Sequence, residues 1–154
     1  MKAVVQRVTA AAVEIDGVEV AAIGQGLLVL LGICHADSGV DVSWMVRKLV
    51  NLRIFSDDTG AMNLALSDID GAVIVVSQFT LYGDARKGNR PGFSGAARPE
   101  HAEPLYEELL KELRSTLGEK RVGCGQFGAK MAVSLVNDGP VTILLESPEP
   151  KNIS

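Results

Sequence analysis

Hydrophobic positions alternate in some segments of the chain, run continuously in others and recur at helical spacing in two more. Alternation through residues 13–16 resumes after Asp16-Gly17, a dipeptide typical of a tight β-hairpin turn. Continuous apolar runs at residues 26–33 and 72–76 predict strands that are buried on both faces. Further strands are expected at residues 52–55, 131–136 and 141–146, the last two forming a pair around residues 137–140.

Two segments carry apolar residues at the spacing of an amphipathic helix. Asp37 or Ser38 can cap a helix over about residues 40–50, and Pro99 can begin a second one that reaches about Leu117. The order of strands, helix, strands, helix and strands predicts an α+β domain with two main helices and strongly curved, largely antiparallel, barrel-like sheets. We expect a single domain over residues 1–146 and a loose tail over residues 147–154.

Length and charge narrow the function classes. The chain has 154 residues, the size of one domain, and a formal net charge of −4. An acidic balance argues against a protein that coats nucleic acid by bulk charge, but not against one that contacts a single end of an RNA. Aromatic residues make up only 5% of the chain, so a platform that stacks several bases is not expected.

Cysteine and histidine chemistry is not expected to explain the protein. The two cysteines and two histidines, at positions 34, 35, 101 and 124, form no zinc-binding spacing. Cys34 and His35 are adjacent, and neighbours on an extended chain point to opposite faces, so Cys34 is expected to be a small core residue. With no export signal or membrane span in the sequence, a reducing cytoplasm is the expected compartment.

Three segments carry more polar chemistry than the fold requires. The first is Ser77-Gln78-Phe79-Thr80, which follows a buried strand and could hold a polar substrate and an oxyanion. The alternative is a fraying strand whose hydroxyls bond their own backbone. Neither Ser77 nor Thr80 has an obvious base nearby in sequence, and there is no Gly-x-Ser-x-Gly elbow. A hydrolase would therefore take its proton transfer from the substrate or from water.

The other two segments are a glycine-proline motif and a basic loop. Asn137-Asp138-Gly139-Pro140 reads either as a plain hairpin turn or as an outward-facing pair of carbonyls, because proline cannot donate to a strand ladder. The loop over residues 84–98 carries Arg86, Lys87, Arg90 and Arg98 against Asp84 alone, a local charge of +3 in an acidic chain. Interleaved glycines would let its backbone approach a phosphate, whereas the alternative is a solvated basic loop.

These motifs, in this order and spacing, resemble those of the D-aminoacyl-tRNA deacylases, formerly called D-tyrosyl-tRNA deacylases. The resemblance covers nearly the whole chain. It is carried by the opening Met1-Lys2-Ala3-Val4-Val5-Gln6-Arg7-Val8, by Ser77-Gln78-Phe79-Thr80-Leu81, by Arg98-Pro99, by Gly125-Gln126-Phe127-Gly128-Ala129-Lys130-Met131 and by Asn137-Asp138-Gly139-Pro140-Val141-Thr142.

The resemblance implies an editing enzyme that hydrolyses the ester between a D-amino acid, or mischarged glycine, and the terminal ribose of tRNA. It implies a homodimer in which Gly139 and Pro140, joined by a cis bond, enter the pocket of the other subunit. Their carbonyls would fix the substrate amino group and exclude an L side chain. Arg7 would brace this motif.

The resemblance also implies that Ser77, Gln78, Phe79 and Thr80 line the ester, with backbone N–H groups stabilising the oxyanion. Thr80 could be the nucleophile, but the missing base favours activation of water by the ribose 2′-hydroxyl. Phe127 and Met131 would hold the terminal adenine. We add Arg86, Lys87 and Arg90 as contacts for acceptor-stem phosphates. No metal, cofactor, membrane or DNA is expected to take part.

Two other functions fit the same residues. One is a non-catalytic protein that captures D-amino acids or RNA ends, and the other is a small-molecule serine esterase that works through Ser77 or Thr80.

Overall fold

The computed structural model describes residues 1–149. Its eight strands and two α-helices are β1 Lys2–Ile15, β2 Val18–Ile23, β3 Gly26–Gly32, α1 Gly39–Asn51, β4 Phe55–Ser56, β5 Met62–Leu64, β6 Ala72–Ser77, α2 Pro99–Leu117, β7 Val122–Cys124 and β8 Ala132–Glu146. Short 3-10 turns occupy Phe79–Tyr82 and Glu119–Arg121.

The main sheet is built around the long strand β1. It pairs antiparallel with β2 and β3 along one edge and with β8 along the other. β6 and β7 then continue the sheet in parallel from β3. Because β2 also contacts β6 and β7 at the far side, the mixed sheet closes into a near-barrel. The predicted α+β class with a barrel-like sheet and two helices is therefore confirmed.

Burial on both faces of β3 follows from this architecture. Leu27, Val29 and Leu31 face the two helices in the larger core, whereas Leu28 points into the barrel beside Ile74. A strand with apolar neighbours on both sides reads as a continuous apolar run, as the sequence predicted. The Asp16-Gly17 hairpin is also confirmed, since both turn residues have positive φ, 51° and 76°.

The helices begin where their capping residues predict. Ser38 caps α1, and its backbone N–H is in turn bonded by the Asp41 side chain in a capping box. Pro99 is the first residue of α2, a position where the N–H that proline lacks would have no partner within the helix. Neither helix is long and apolar enough, within residues 1–149, to cross a membrane.

Two strand predictions need correction. The strand expected at residues 52–55 begins only at Phe55, because Leu52 ends α1 and residues 53 and 54 connect the two elements. The segments 131–136 and 141–146 do not pair with each other. Both belong to β8 and pair with β1, so the chain continues in one direction past Pro140 instead of reversing there.

The predicted tail from residue 147 begins with an anchored residue. Ser147 is buried, its N–H donates to the Met1 carbonyl at 2.9 Å, and its hydroxyl bonds the Asp41 carboxylate at 2.7 Å. A loose segment can therefore start only after Ser147. The prediction for residues 150–154 lies outside the described residues.

Candidate active site

A pocket of about 630 Å³ lies where β3 and β6 end, beside the first turn of α2. Four separate stretches of the chain form its walls: residues 31–33 at the end of β3, residues 76–79 at the end of β6, residues 93–102 around the start of α2, and residues 127–133. The lining residues are Leu31, Ile33, Val76, Ser77, Gln78, Phe79, Phe93, Ala96, Ala97, Arg98, Pro99, Ala102, Phe127, Gly128, Ala129, Met131 and Val133. Three of the four residues of the first motif, together with Phe127 and Met131, thus meet in one cavity.

Strand β6 delivers the first motif to the pocket. Ser77 pairs with Leu31 at the end of the parallel ladder, and the Gln78 N–H donates to the Leu31 carbonyl at 2.7 Å. Phe79 then starts a 3-10 turn and stays 57% exposed, with its ring edge-on to Phe93 at 5.2 Å. Thr80 is exposed at the mouth and does not line the cavity, but its hydroxyl accepts a hydrogen bond from the Gln78 amide.

Backbone donors are present at this mouth. The first N–H groups of a helical turn have no acceptor inside that turn. In the turn that starts at Phe79 these are the N–H groups of Phe79 and Thr80, whereas the N–H of Gln78 is already bonded to β3. Such donors suit a carbonyl oxygen that gains negative charge.

Aromatic packing positions the opposite wall. The Phe127 ring lies 5.9 Å from that of Tyr106, whose hydroxyl donates to the Val75 carbonyl at 2.8 Å. Burial raises the pKa of the Tyr106 phenol, so it remains a hydrogen-bond donor. Tyr106 therefore joins α2 to β6 two residues before Ser77.

The pocket has almost no ionisable groups. Among its lining residues only Arg98 ionises, and a guanidinium cannot act as a base at neutral pH. Within residues 1–149 no three His, Cys, Asp or Glu side chains lie close enough to hold a metal ion. The described chain can bind and polarise a substrate in this pocket, but its lining supplies no proton acceptor.

Gly139 and Pro140 lie elsewhere, on an exposed bulge of β8. Gln6 pairs with Thr142 and Val8 with Asn137, so residues 138–141 have only Arg7 opposite them. The Gly139–Pro140 peptide bond is cis, both residues are exposed, and neither lines the pocket of its own chain.

Arg7 holds this bulge from the inside. Its side chain is buried, its Nε donates to the Asp138 carbonyl at 2.9 Å and its Nη1 donates to the Ile54 carbonyl at 2.7 Å. Asn137 closes the bulge, because its side-chain oxygen accepts from the Val141 N–H at 2.7 Å. Two of these hydrogen bonds hold the bulge directly, and the third anchors Arg7 to Ile54.

The tip of the basic loop, residues 84–92, is exposed and lies outside the pocket lining, whereas Phe93, Ala96, Ala97 and Arg98 of the same loop line the pocket. The N–H and C=O groups of Asp84 bond those of Gly92, which brings the ends of the loop tip together. Arg86 forms an ion pair with Asp84 at 2.7 Å, and this contact holds the pKa of the Asp84 carboxyl below its usual value. Lys87 and Arg90 are exposed cations of the same tip.

Sequence reasoning missed three residues of this region as site residues. Phe93 and Arg98 line the pocket, and Tyr106 supports Phe127. The sequence marks Arg98 as a loop charge and, with Pro99, as part of the resemblance, but not as a site residue, although its place directly before Pro99 puts it at the start of α2. Phe93 and Tyr106 had no local signal, because their roles depend on contacts with distant segments.

The family model and the relatives that match this chain all carry the name of one family of deacylases. The family model described as D-Tyr-tRNA(Tyr) deacylase matches residues 4–146. A D-aminoacyl-tRNA deacylase of Chloroherpeton thalassium is 54% identical over 148 residues, covering 96% of this chain and 97% of the relative. A D-aminoacyl-tRNA deacylase of Clostridioides difficile is 57% identical over 147 residues, with the same coverage of both chains.

Solved structures share the fold. The structure of the c-Myc DNA unwinding element binding protein superposes with a TM-score of 0.92 at 47% identity, covering 97% of this chain and 100% of that one. A probable eukaryotic D-amino acid tRNA deacylase superposes with a TM-score of 0.81 at 17% identity, covering 94% and 97%. The second likeness supports the fold alone.

Proposed function

Since the chain belongs to the D-Tyr-tRNA(Tyr) deacylase family, we propose that it hydrolyses the ester joining a D-amino acid, or mischarged glycine, to the 3′-terminal ribose of tRNA. The protein is a hydrolase that acts on carboxylic ester bonds. One observation supports this more than any other: relatives named D-aminoacyl-tRNA deacylase share more than half of its residues over nearly the full length of both chains.

The terminal nucleotide binds in the pocket, with the adenine against Phe127 and Met131. The ester then lies beside Ser77, Gln78 and Phe79, which line the same cavity. The N–H groups of Phe79 and Thr80 stabilise the oxyanion that forms when water attacks the carbonyl carbon. Support for this placement comes from the shared cavity and from the engagement of the Gln78 N–H with Leu31.

The ribose 2′-hydroxyl of the RNA assists the attacking water. The absence of a carboxylate, imidazole or thiol from the pocket lining favours this over a side-chain nucleophile, since a hydroxyl nucleophile needs a base within hydrogen-bond reach. Thr80 as nucleophile is the alternative. Its hydroxyl accepts from the Gln78 amide, which cannot remove a proton.

A homodimer completes the site and sets its chirality. The exposed Gly139–Pro140 bulge of one subunit enters the pocket of the other, where its carbonyls bind the substrate amino group and exclude an L side chain. Because the carbonyls block only the position that an L side chain would occupy at the α-carbon, the pocket accepts many D side chains and glycine alike. Support comes from the rigid bracing of the bulge by Arg7 and from its position outside the pocket of its own chain.

The basic loop contacts the acceptor stem. Arg86, Lys87 and Arg90 carry its exposed positive charge, and such contacts position the RNA without reading its sequence. Because Asp84 pairs with Arg86, Lys87 and Arg90 supply more of the attraction.

Matched D- and L-aminoacyl-tRNA test the function directly. The purified protein is incubated with each and ester loss is followed. We expect cleavage of the D form and retention of the L form. Retention of both forms with tight binding would favour a non-catalytic binder, and cleavage of a simple ester without RNA would favour a serine esterase.

A further inference from the structure

A second groove, of about 500 Å³, lies at the carboxyl end of α1, away from the pocket. Three of its six lining residues are cations and none is acidic, in a chain whose net charge is −4. The lining residues are Trp44, Arg47, Lys48, Asn51, Leu52 and Arg53. The groove is therefore a local concentration of positive charge outside the basic loop.

These cations are available to a ligand. Arg47, Lys48 and Arg53 are exposed, and no ion pair within residues 1–149 involves any of them. Lys48 and Arg47 in the final turns of α1 also suit the negative end of the helix dipole. Arg53, however, lies beyond the helix, where its Nε donates to the Asn63 carbonyl at 2.9 Å, so the dipole does not account for it.

Trp44 indicates which part of a nucleic acid the groove accepts. The Lys48 ammonium lies 5.5 Å from the centroid of the Trp44 ring, and the rest of the ring packs against the main core. With one face covered by an ammonium group and the ring partly buried, base stacking is disfavoured. Phosphate oxygens, which need only donors and positive charge, fit better.

The helices fix the position of this groove relative to the pocket. Ser43 of α1 bonds Glu112 of α2 at 3.2 Å, and Gly39 lies beside Glu108, so the two helices run side by side in the same direction. α2 starts at the pocket with Pro99, and Lys48 is level with its end. At ~1.5 Å per residue the groove lies about 27 Å along the helix from the pocket of the same chain.

We propose that this groove binds the phosphate backbone of a base-paired stem of the same tRNA whose 3′ end occupies the pocket. The inference rests on the proposed function, because the two sites share one ligand only if that ligand is a tRNA. A rigid base-paired stem can extend over this distance, whereas a free nucleotide or an aminoacyl-adenosine bound in the pocket of the same chain cannot reach the groove.

The test compares two variants of equal charge change. Arg47→Gln combined with Lys48→Gln removes two positive charges from the groove. The control Lys111→Glu lowers the net charge by two at an exposed residue of α2 that lines neither site. We expect the double variant to reduce the slope of log affinity for tRNA against log salt by about two. Its loss of affinity relative to wild type should therefore be about tenfold larger at 50 mM salt than at 200 mM. The control should change neither.

Two further readouts separate this inference from the proposed function. The double variant should lower kcat/KM for D-aminoacyl-tRNA and leave it unchanged for D-aminoacyl-adenosine, which is too short to reach the groove. Trp44 is the only tryptophan of the chain, so its emission should change on addition of uncharged tRNA to the wild-type protein.

An unchanged salt slope, or a loss shared equally with Lys111→Glu, would overturn the inference and leave the proposed function intact. Quenching of Trp44 by an acidic peptide but not by tRNA would overturn it in favour of a protein partner. If the wild-type protein cleaves neither substrate, the proposed function fails, and the salt slope and fluorescence still decide whether the groove binds tRNA.

Discussion

The pocket and the Gly139–Pro140 bulge are built in opposite ways. The pocket is concave and mostly apolar, and four distant stretches of chain contribute to it. The bulge is exposed and local, and a buried arginine with a neighbouring asparagine fixes its backbone. The first has room for a nucleoside and an ester. The second presents fixed carbonyls but has no cavity of its own.

This contrast indicates a division of roles. In the proposed function the pocket binds the RNA end and the bulge selects by chirality, while the lining of the pocket offers no proton acceptor. Each role can therefore be removed separately, and the variants below should separate them.

The largest loss of hydrolysis rate is expected from removing the terminal 2′-hydroxyl of the substrate. A D-aminoacyl-tRNA that ends in 2′-deoxyadenosine should lose about 10²–10⁴ in hydrolysis rate, the range that general acid–base assistance contributes. Thr80→Ala, in a protein shown to be folded, should stay within about threefold of wild type. Single-turnover ester loss measures both, and an inactive Thr80→Ala protein with a fully active deoxy substrate would contradict the account.

Gly139→Ala should disable the bulge without changing the pocket. Gly139 has a φ of +147°, and an added Cβ would lie 2.7 Å from the Val141 nitrogen, so the backbone has to move. A displacement of about 1 Å can cost about 10²-fold in rate. Adenosine should bind as in wild type.

A matched glycine gives the control for that variant. Gly60 also has a positive φ, +83°, but nothing lies within 4 Å of an added Cβ, and it belongs to the β4–β5 turn. Gly60→Ala should lower stability while keeping hydrolysis. Equal loss of activity in both variants would mean that the bulge has no specific role.

Arg7→Ala should loosen the bulge. Two carbonyls lose a charged donor, and because each such bond contributes about 1.5–3 kcal/mol, the free energy of unfolding should fall by about 3–6 kcal/mol. Hydrolysis of the D substrate should fall about tenfold and the D-to-L preference should narrow. Denaturant unfolding and paired D and L assays measure these effects. Arg7→Lys keeps the charge but not the two-pronged geometry, so an intermediate result is expected.

The smallest effect is expected outside both regions, at Asp84. Asp84→Asn frees Arg86 from its ion pair and should strengthen tRNA binding about two- to threefold at low salt, with the gain lost at high salt. Because the pKa of Asp84 is lowered, its carboxylate stays ionised at a pH where an ordinary aspartate begins to protonate, so the gain should be constant between about pH 5 and 8. Asp58→Asn, another exposed carboxylate, should leave affinity unchanged.

Local signals account for what the sequence predicted well. Ser38 and Asp41 specify the start of α1 because their side chains bond its first backbone N–H groups. Pro99 specifies the start of α2 because it has no N–H, and Asp16-Gly17 specifies its hairpin because both residues adopt positive φ. These elements could therefore be predicted without knowing which distant segments they contact.

Tertiary pairing accounts for what the sequence could not predict. Gly139-Pro140 reads locally as a turn, but the chain runs on because β1 is long enough to pair with both halves of β8. The motif at Ser77 was recognised from its polar composition. The roles of Phe93 and Tyr106 had no such signal, since a loop aromatic and a helix tyrosine become parts of the site only through packing.

A site shared between two subunits is the central claim, and subunit complementation tests it most directly. Gly139→Ala disables the bulge and leaves the pocket, whereas Ala129→Trp fills the pocket and leaves the bulge. Each variant alone should be inactive. A random 1:1 mixture of chains should recover about a quarter of wild-type hydrolysis, because half of the dimers are mixed and each mixed dimer holds one intact site. Recovery near that level is the predicted result, and a mixture as inactive as its parents would contradict the claim.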